Sequence, residues 1–90
     1  MRLDLFLTKS RLIKRRSLAK VACEKGIVSV DGHRAKAGRE ISPGQKIAID
    51  FTSRFLEVEI LQLPQGNISK NEAGELYTVL RETRKEPELF

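Results

Sequence analysis

The sequence predicts an α+β fold: two amino-terminal helices packed on a small antiparallel sheet, with a short carboxy-terminal extension. Three observations carry that prediction. Apolar residues recur at helical spacing through residue 25, at Leu3, Phe6 and Leu7 and again at Leu18, Val21 and Ala22. From Ile27 onward the period changes to two, as in Leu56, Val58 and Ile60 alternating with Glu57 and Glu59. Asp31-Gly32 and Pro43-Gly44 stand between these runs as turn dipeptides.

The first helix is read over residues 2–9, with Asp4 in the first turn, where the positive end of the helix dipole favours an acid. A basic connection follows, then a second helix over residues 14–25. Its apolar face is read as Leu18, Val21 and Ala22, with Arg16, Lys20 and Cys23 on the opposite side at 100° per residue. Lys25 suits the negative end of that helix and Gly26 its stop. Ile27–Val30, the Asp31-Gly32 turn and a return strand from His33 to Lys36 make a hairpin. Ser42-Pro43-Gly44-Gln45 has the Pro-Gly order of a type II turn. Ile47, Ile49 and Phe51 form the next strand, and after Thr52-Ser53 comes the Leu56–Ile60 strand, one face inward and one wet. Residues 64–72 are a polar connector. A helical turn near residue 73 then leads into an added strand at Tyr77–Leu80, and the charged residues from Arg84 fray. The organisation predicted is a domain over residues 1–63 and an extension over 64–90 packed on it.

Ninety residues, 40% hydrophobic and 32% charged, suit one small domain with one modest core. Such a chain has no room for a deep catalytic cleft, and no nucleophile–base pair stands out, so the expectation is a protein that is not an enzyme. Cys23 is the single cysteine and cannot form an internal disulfide, and with one histidine no zinc site is expected. No apolar run reaches bilayer length, so a cytoplasmic protein without a membrane, metal or cofactor is expected. The formal charge of +5 hides an asymmetry: residues 1–46 hold twelve Lys/Arg against four Asp/Glu, and residues 47–90 five against eight. An excess of like charge in the first half calls for an anionic partner.

Four segments carry a resemblance to a known family. Arg2-Leu3-Asp4, the basic run Ser10-Arg11…Lys14-Arg15-Arg16-Ser17-Leu18-Ala19, Gly26-Ile27-Val28-Ser29-Val30-Asp31-Gly32 and Pro43-Gly44-Gln45-Lys46-Ile47 resemble, in that order, the S4 RNA-binding domain. Gln45 replaces the acid usual in the last of these. The likeness covers about residues 2–61. Arg11–Arg16 and Tyr77–Leu80 are similar to the small stand-alone S4 proteins of ribosome-associated quality control, with the small heat-shock S4 proteins as their relatives. The resemblance implies a non-catalytic factor that binds large-subunit rRNA and peptidyl-tRNA on an obstructed large ribosomal subunit. It also implies RqcH as a functional partner, assisted in adding an alanine tail to the stalled chain, and action as a monomer.

Arginine forks grip phosphate oxygens at two points, and folded RNA is read largely through phosphates and shape. The residues expected to contact RNA are Arg2, Arg11, Lys14, Arg15, Arg16 and Lys20, with Arg2 and Arg16 foremost because both lie in matched segments. The free amides at the start of the second helix add an anion site. His33, Arg34 and Lys36 at the hairpin tip join the set, with Arg39 and Lys46 as weaker extensions. For Arg2 the competing role is a salt bridge to an acid of its own helix, and for Tyr77 a place in the core competes with base stacking. Two other functions compete with the main one. A heat-shock-type protein binds free large subunits, but its relatives carry a more basic tail than one holding Glu72, Glu75, Glu82, Glu86 and Glu88. An RNA-modifying enzyme would need this chain to be its RNA-binding fragment.

Overall fold

The computed structural model describes residues 1–85. Two helices, α1 (Leu3–Lys9) and α2 (Arg16–Glu24), precede four strands, β1 (Val28–Val30), β2 (His33–Arg34), β3 (Lys46–Asp50) and β4 (Arg54–Ile60). A short helix α3 (Lys70–Ala73) and a long strand β5 (Tyr77–Arg84) complete the described chain. The five strands form one antiparallel sheet in the order β2-β1-β3-β4-β5. The α+β architecture is the one predicted.

Alternation places the core. Val30, Ile47 and Val58 pair in one row across the sheet, and Val28, Ile49 and Leu56 in the next. All six are buried, in one cluster with Leu3, Phe6 and Leu7 of α1. The hairpin turn forms as its dipeptide requires: Asp31 (φ 50°) and Gly32 (φ 85°) are both left-handed, the conformation of a type I′ turn. The Asp31 carboxylate accepts the Lys46 N–H at 2.9 Å, which pins this turn to β3. Gln45 fills the place of the usual acid, its Oε1 accepting the Ser42 N–H at 2.8 Å. An amide oxygen therefore closes that turn without a charge.

Several boundaries and one face differ from the reading of the sequence. Regular pairing of the return strand covers only His33–Arg34; the Ala35 N–H still donates to the Val28 carbonyl at 3.2 Å, and the chain then turns to α1, where the Ala37 and Arg39 carbonyls accept the Asp4 and Leu3 N–H groups. The second helix begins at Arg16 rather than Lys14, since Arg15 is extended (φ −124°, ψ 142°). Its buried residues are Ala19 and Cys23, while Leu18 and Val21 are 53% and 42% exposed. Leu18 and Val21 of the expected apolar face are thus turned outward, Ala22 alone packs partly against the core, and Cys23 points inward rather than beside an exposed Lys20. Leu3, Phe6 and Leu7 already fill the core, so the side of α2 that shares it carries short side chains. Burial, reinforced by the charges of Asp4 and Glu24, pushes the Cys23 thiol up to about 11.

At the other end the helical turn and added strand form as expected. Ser69 caps α3, its hydroxyl accepting the Glu72 N–H at 3.2 Å. Leu76 is buried, and its carbonyl accepts the Leu61 N–H at 2.8 Å, tying the connector to the domain. Tyr77 is half-buried opposite Ile60, packed against the core. Strand β5 pairs with β4 along its length, with a bulge opposite Glu57/Val58. Arg84 does not fray: it closes β5 opposite Arg54. Fraying expected beyond it falls on residues 86–90, outside the described residues.

Candidate nucleic-acid interface

The side chain at the centre of the basic surface is an acid. Asp4 is fully buried in the first turn of α1, and its carboxylate is shared by two arginines from different elements. Arg2 donates from Nε to Oδ1 at 3.1 Å, with a terminal nitrogen 3.5 Å from Oδ2. Arg16, at the start of α2, donates from Nε to Oδ2 at 3.3 Å. The Leu5 N–H completes the shell, donating to Oδ1 at 2.8 Å. Burial pushes the Asp4 carboxyl up, but the hydrogen bonds and charges of Arg2 and Arg16 outweigh it and hold the group below the usual carboxylate range.

Each guanidinium is anchored on the Asp4 carboxylate, and that of Arg2 also lies over Gly38. The Arg2 and Arg16 side chains are 47% and 48% exposed, so part of each five-donor fork faces solvent. A carboxylate that fixes the rotamers of two arginines prepares them to grip an anion with little further loss of freedom. The salt bridge within α1 and an outward-facing contact are therefore compatible roles for Arg2. Backbone contacts hold the base of this assembly. The Leu3 N–H donates to the Arg39 carbonyl at 2.8 Å and the Asp4 N–H to the Ala37 carbonyl at 3.0 Å. Those bonds consume the first amides of α1. By contrast, no side chain caps α2, and its first turn holds no acid, which leaves its positive end directed outward beside Arg15 and Arg16.

The remaining predicted residues divide into separate places. Arg15, immediately before α2, and Lys20, one turn along it from Arg16, are exposed. Arg11 and Lys14 instead line a cleft beside Lys9 and Lys70. Arg34 lies folded across Gly26, whose φ of +75° ends α2: a Cβ on Gly26 would come within 1.9 Å of the Arg34 guanidinium. Arg34 and Lys36 line a second groove, together with Cys23 and Glu24. His33 is exposed in β2. Arg39 is exposed in the loop that meets α1, and Lys46 stands opposite Glu59 on the sheet. Sequence reasoning missed Asp4 as the organiser. Its place among helix-dipole acids hid that the same carboxylate, in the first turn of a buried helix, needs cationic partners.

Comparison with known proteins gives a consistent picture. The S4 domain model matches residues 1–47. The chain is 46% identical over 82 residues to the RQC P-site tRNA stabilizing factor of Halalkalibacterium halodurans, covering 91% of this chain and 92% of the relative. It is 40% identical over 84 residues to the protein of that name in Bacillus subtilis, covering 93% and 96%. Among solved structures, the trimeric heat shock protein 15 of Vibrio cholerae superposes with a TM-score of 0.80 at 30% identity, over 88% of this chain and 80% of that one.

Proposed function

The chain belongs to the S4 domain family, and from that premise we propose that it is a non-catalytic RNA-binding factor of ribosome-associated quality control in the cytoplasm. It acts as a monomer on the obstructed large ribosomal subunit, contacting rRNA and peptidyl-tRNA, and assists RqcH-dependent alanine tailing of the stalled chain. The observation that carries this reading is the pair of half-exposed arginines, Arg2 and Arg16, held on the buried Asp4 carboxylate. The names of the curated relatives, which speak of a P-site tRNA, support the same ligand class.

Around that pair the proposed contact includes Arg15 just before α2, Lys20 on it and the uncapped start of the helix, while Arg11 and Lys14 stand apart, in the cleft beside Lys9 and Lys70. His33, Arg34 and Lys36 form a second rim. Arg34 lies over Gly26 yet is exposed, and it forms no salt bridge among the described residues, so it is available to that rim. One other reading, binding to free large subunits, is what the resemblance to the small heat-shock S4 proteins implies, and heat shock protein 15 shares this fold at 30% identity.

Mild affinity purification of the carboxy-terminally tagged protein from its own cells separates these. Large subunits carrying peptidyl-tRNA and depleted of small subunits are expected. Free large subunits without tRNA would favour the heat-shock type, and absence of ribosomal RNA would overturn the proposal. Arg2→Ala and Arg16→Ala are expected to lower recovery of the particle.

A further inference from the structure

A second basic concavity lies at the far end of α1 from the Asp4 assembly. The cleft, about 770 Å³ in volume, is lined by Lys9 and Thr8 of α1, Arg11 and Lys14 of the following turn, and Asn67 and Lys70 of the connector and α3, with Ile68 between them. Four cations and no acid line it. Among the described residues none of the four forms a salt bridge. The acids of the same segment are sorted elsewhere: Glu72 and Glu75 line a different groove on the other side of Ile68, with Gln62 and Pro64.

Two features of the backbone show that the cleft is built rather than incidental. Lys9 donates its ammonium to the Gly66 carbonyl, which holds the connector against α1. Arg11 sits at φ +63°, a left-handed conformation that an L side chain occupies at a cost and glycine does not. Its N–H bonds to the Thr8 carbonyl at 3.0 Å, and the buried Ser10 hydroxyl bonds to the Leu7 carbonyl at 3.2 Å, so the strained turn is fixed from beneath. Stability alone would favour glycine at this position, yet a guanidinium stands there.

We infer that this cleft is a second binding site for RNA phosphates, one whose wall is supplied by the carboxy-terminal segment. Lys70 and Asn67 lie outside residues 1–47, where the S4 domain match falls. The ligand is a stretch of ribose–phosphate backbone, since convergent Lys and Arg without acids or aromatic side chains suit phosphate oxygens and not base stacking. The inference rests on the RNA-binding reading above and extends it to Lys9, Asn67 and Lys70.

The test is binding of the full chain to purified large ribosomal subunits across a salt series, for wild type, Arg11→Gly, Lys70→Gln, Arg16→Ala and Lys25→Gln. Losing one phosphate contact lowers the salt slope by roughly one unit and weakens binding about three- to six-fold near physiological salt. Arg11→Gly and Lys70→Gln are each expected to show that loss. Arg11→Gly is also expected to melt no lower than wild type, which separates binding from folding. Lys25→Gln, an exposed charge at the far end of α2, is expected to change neither quantity. Wild-type affinity and slope in Arg11→Gly and Lys70→Gln, with Arg16→Ala impaired, would overturn the second site while leaving the first. An equal loss in Lys25→Gln would overturn it too, by showing that only net charge matters. Wild-type behaviour in Arg16→Ala as well would remove the RNA-binding reading itself.

Discussion

Replacing Asp4 with Asn tests whether the interface depends on orientation or on charge. The change keeps the shape and leaves an acceptor for the Leu5 N–H, but it removes the anion on which Arg2 and Arg16 converge. A hydrogen bond to a charged group contributes about 1.5–3 kcal/mol; the two to Oδ2, from Arg16 and the Arg2 terminal nitrogen, are lost, and the Arg2 Nε bond to Oδ1 keeps only a neutral acceptor. Both arginines are about half exposed, so water recovers a large share of each. The expected destabilisation is about 2–3 kcal/mol, or a fall in Tm of roughly 10–20 °C for a domain of this size. The effect on RNA binding discriminates more sharply. Asp4→Asn raises the net charge by one, so long-range electrostatics alone predicts tighter binding. Loss of preorganisation predicts the reverse, about ten-fold weaker binding or more, approaching Arg2→Ala and Arg16→Ala. Sedimentation with large ribosomal subunits, well below both melting temperatures, reads the sign. Binding by Asp4→Asn as tight as wild type or tighter would refute the orienting role.

Three further outcomes are expected. Because the folded Asp4 carboxyl titrates below its unfolded value of about 3.9, its stabilisation is complete above that value and is lost as pH falls through the folded one; Asp4→Asn should therefore flatten the acid limb of a Tm-against-pH curve below about pH 4, and an unchanged limb would count against it. On α2, Leu18→Ser and Val21→Ser should each shift stability by about 0.5 kcal/mol or less, whereas Ala19→Leu should cost about 1–3 kcal/mol by overpacking; denaturant titration showing the opposite ranking would restore the face read from the sequence. Gly26→Ala must adopt φ +75° and displace the Arg34 guanidinium, so it should cost about 1–2 kcal/mol in thermal unfolding, with Gly26→Asn milder because Asn tolerates that conformation.

How far the fold could be read from the sequence varies by element. The sheet was legible because a period of two leaves no freedom: once Ile47 faces inward, Ile49 must follow, and Leu56, Val58 and Ile60 match them across the register. Asp31-Gly32 was legible because few dipeptides suit two left-handed residues in succession. The face of α2 was not. Hydrophobicity pointed to Leu18 and Val21, but the place was decided by volume, which favoured Ala19 and Cys23 against a core already filled by α1. Arg2 and Arg16 could be named from the matched segments, yet nothing in their spacing shows that both reach one carboxylate, since Arg16 is twelve residues from Asp4. The cleft was least legible. It joins Lys9 to Gly66 across 57 residues, a closure that no local pattern encodes.

The bonds from the Leu3 and Asp4 amides to the Arg39 and Ala37 carbonyls bear on the order in which the chain can acquire its shape. A seven-residue helix is too short to persist by itself in water. While the chain emerges from its own ribosome, α1 lacks partners for its leading amides until residues 37–39 are made. Before then the β1–β2 hairpin, which carries the chain back, must also have closed. The arginine pair at the start of the chain is therefore assembled late, by contacts of high sequence separation, although its first member is among the earliest residues synthesised. A truncated nascent copy ending before residue 37 has the full complement of charge on α1 and α2 but no fixed arrangement of it. Fixed presentation of the arginine pair thus requires the chain through Arg39, so its geometry is decided by a loop that contributes neither of the two arginines.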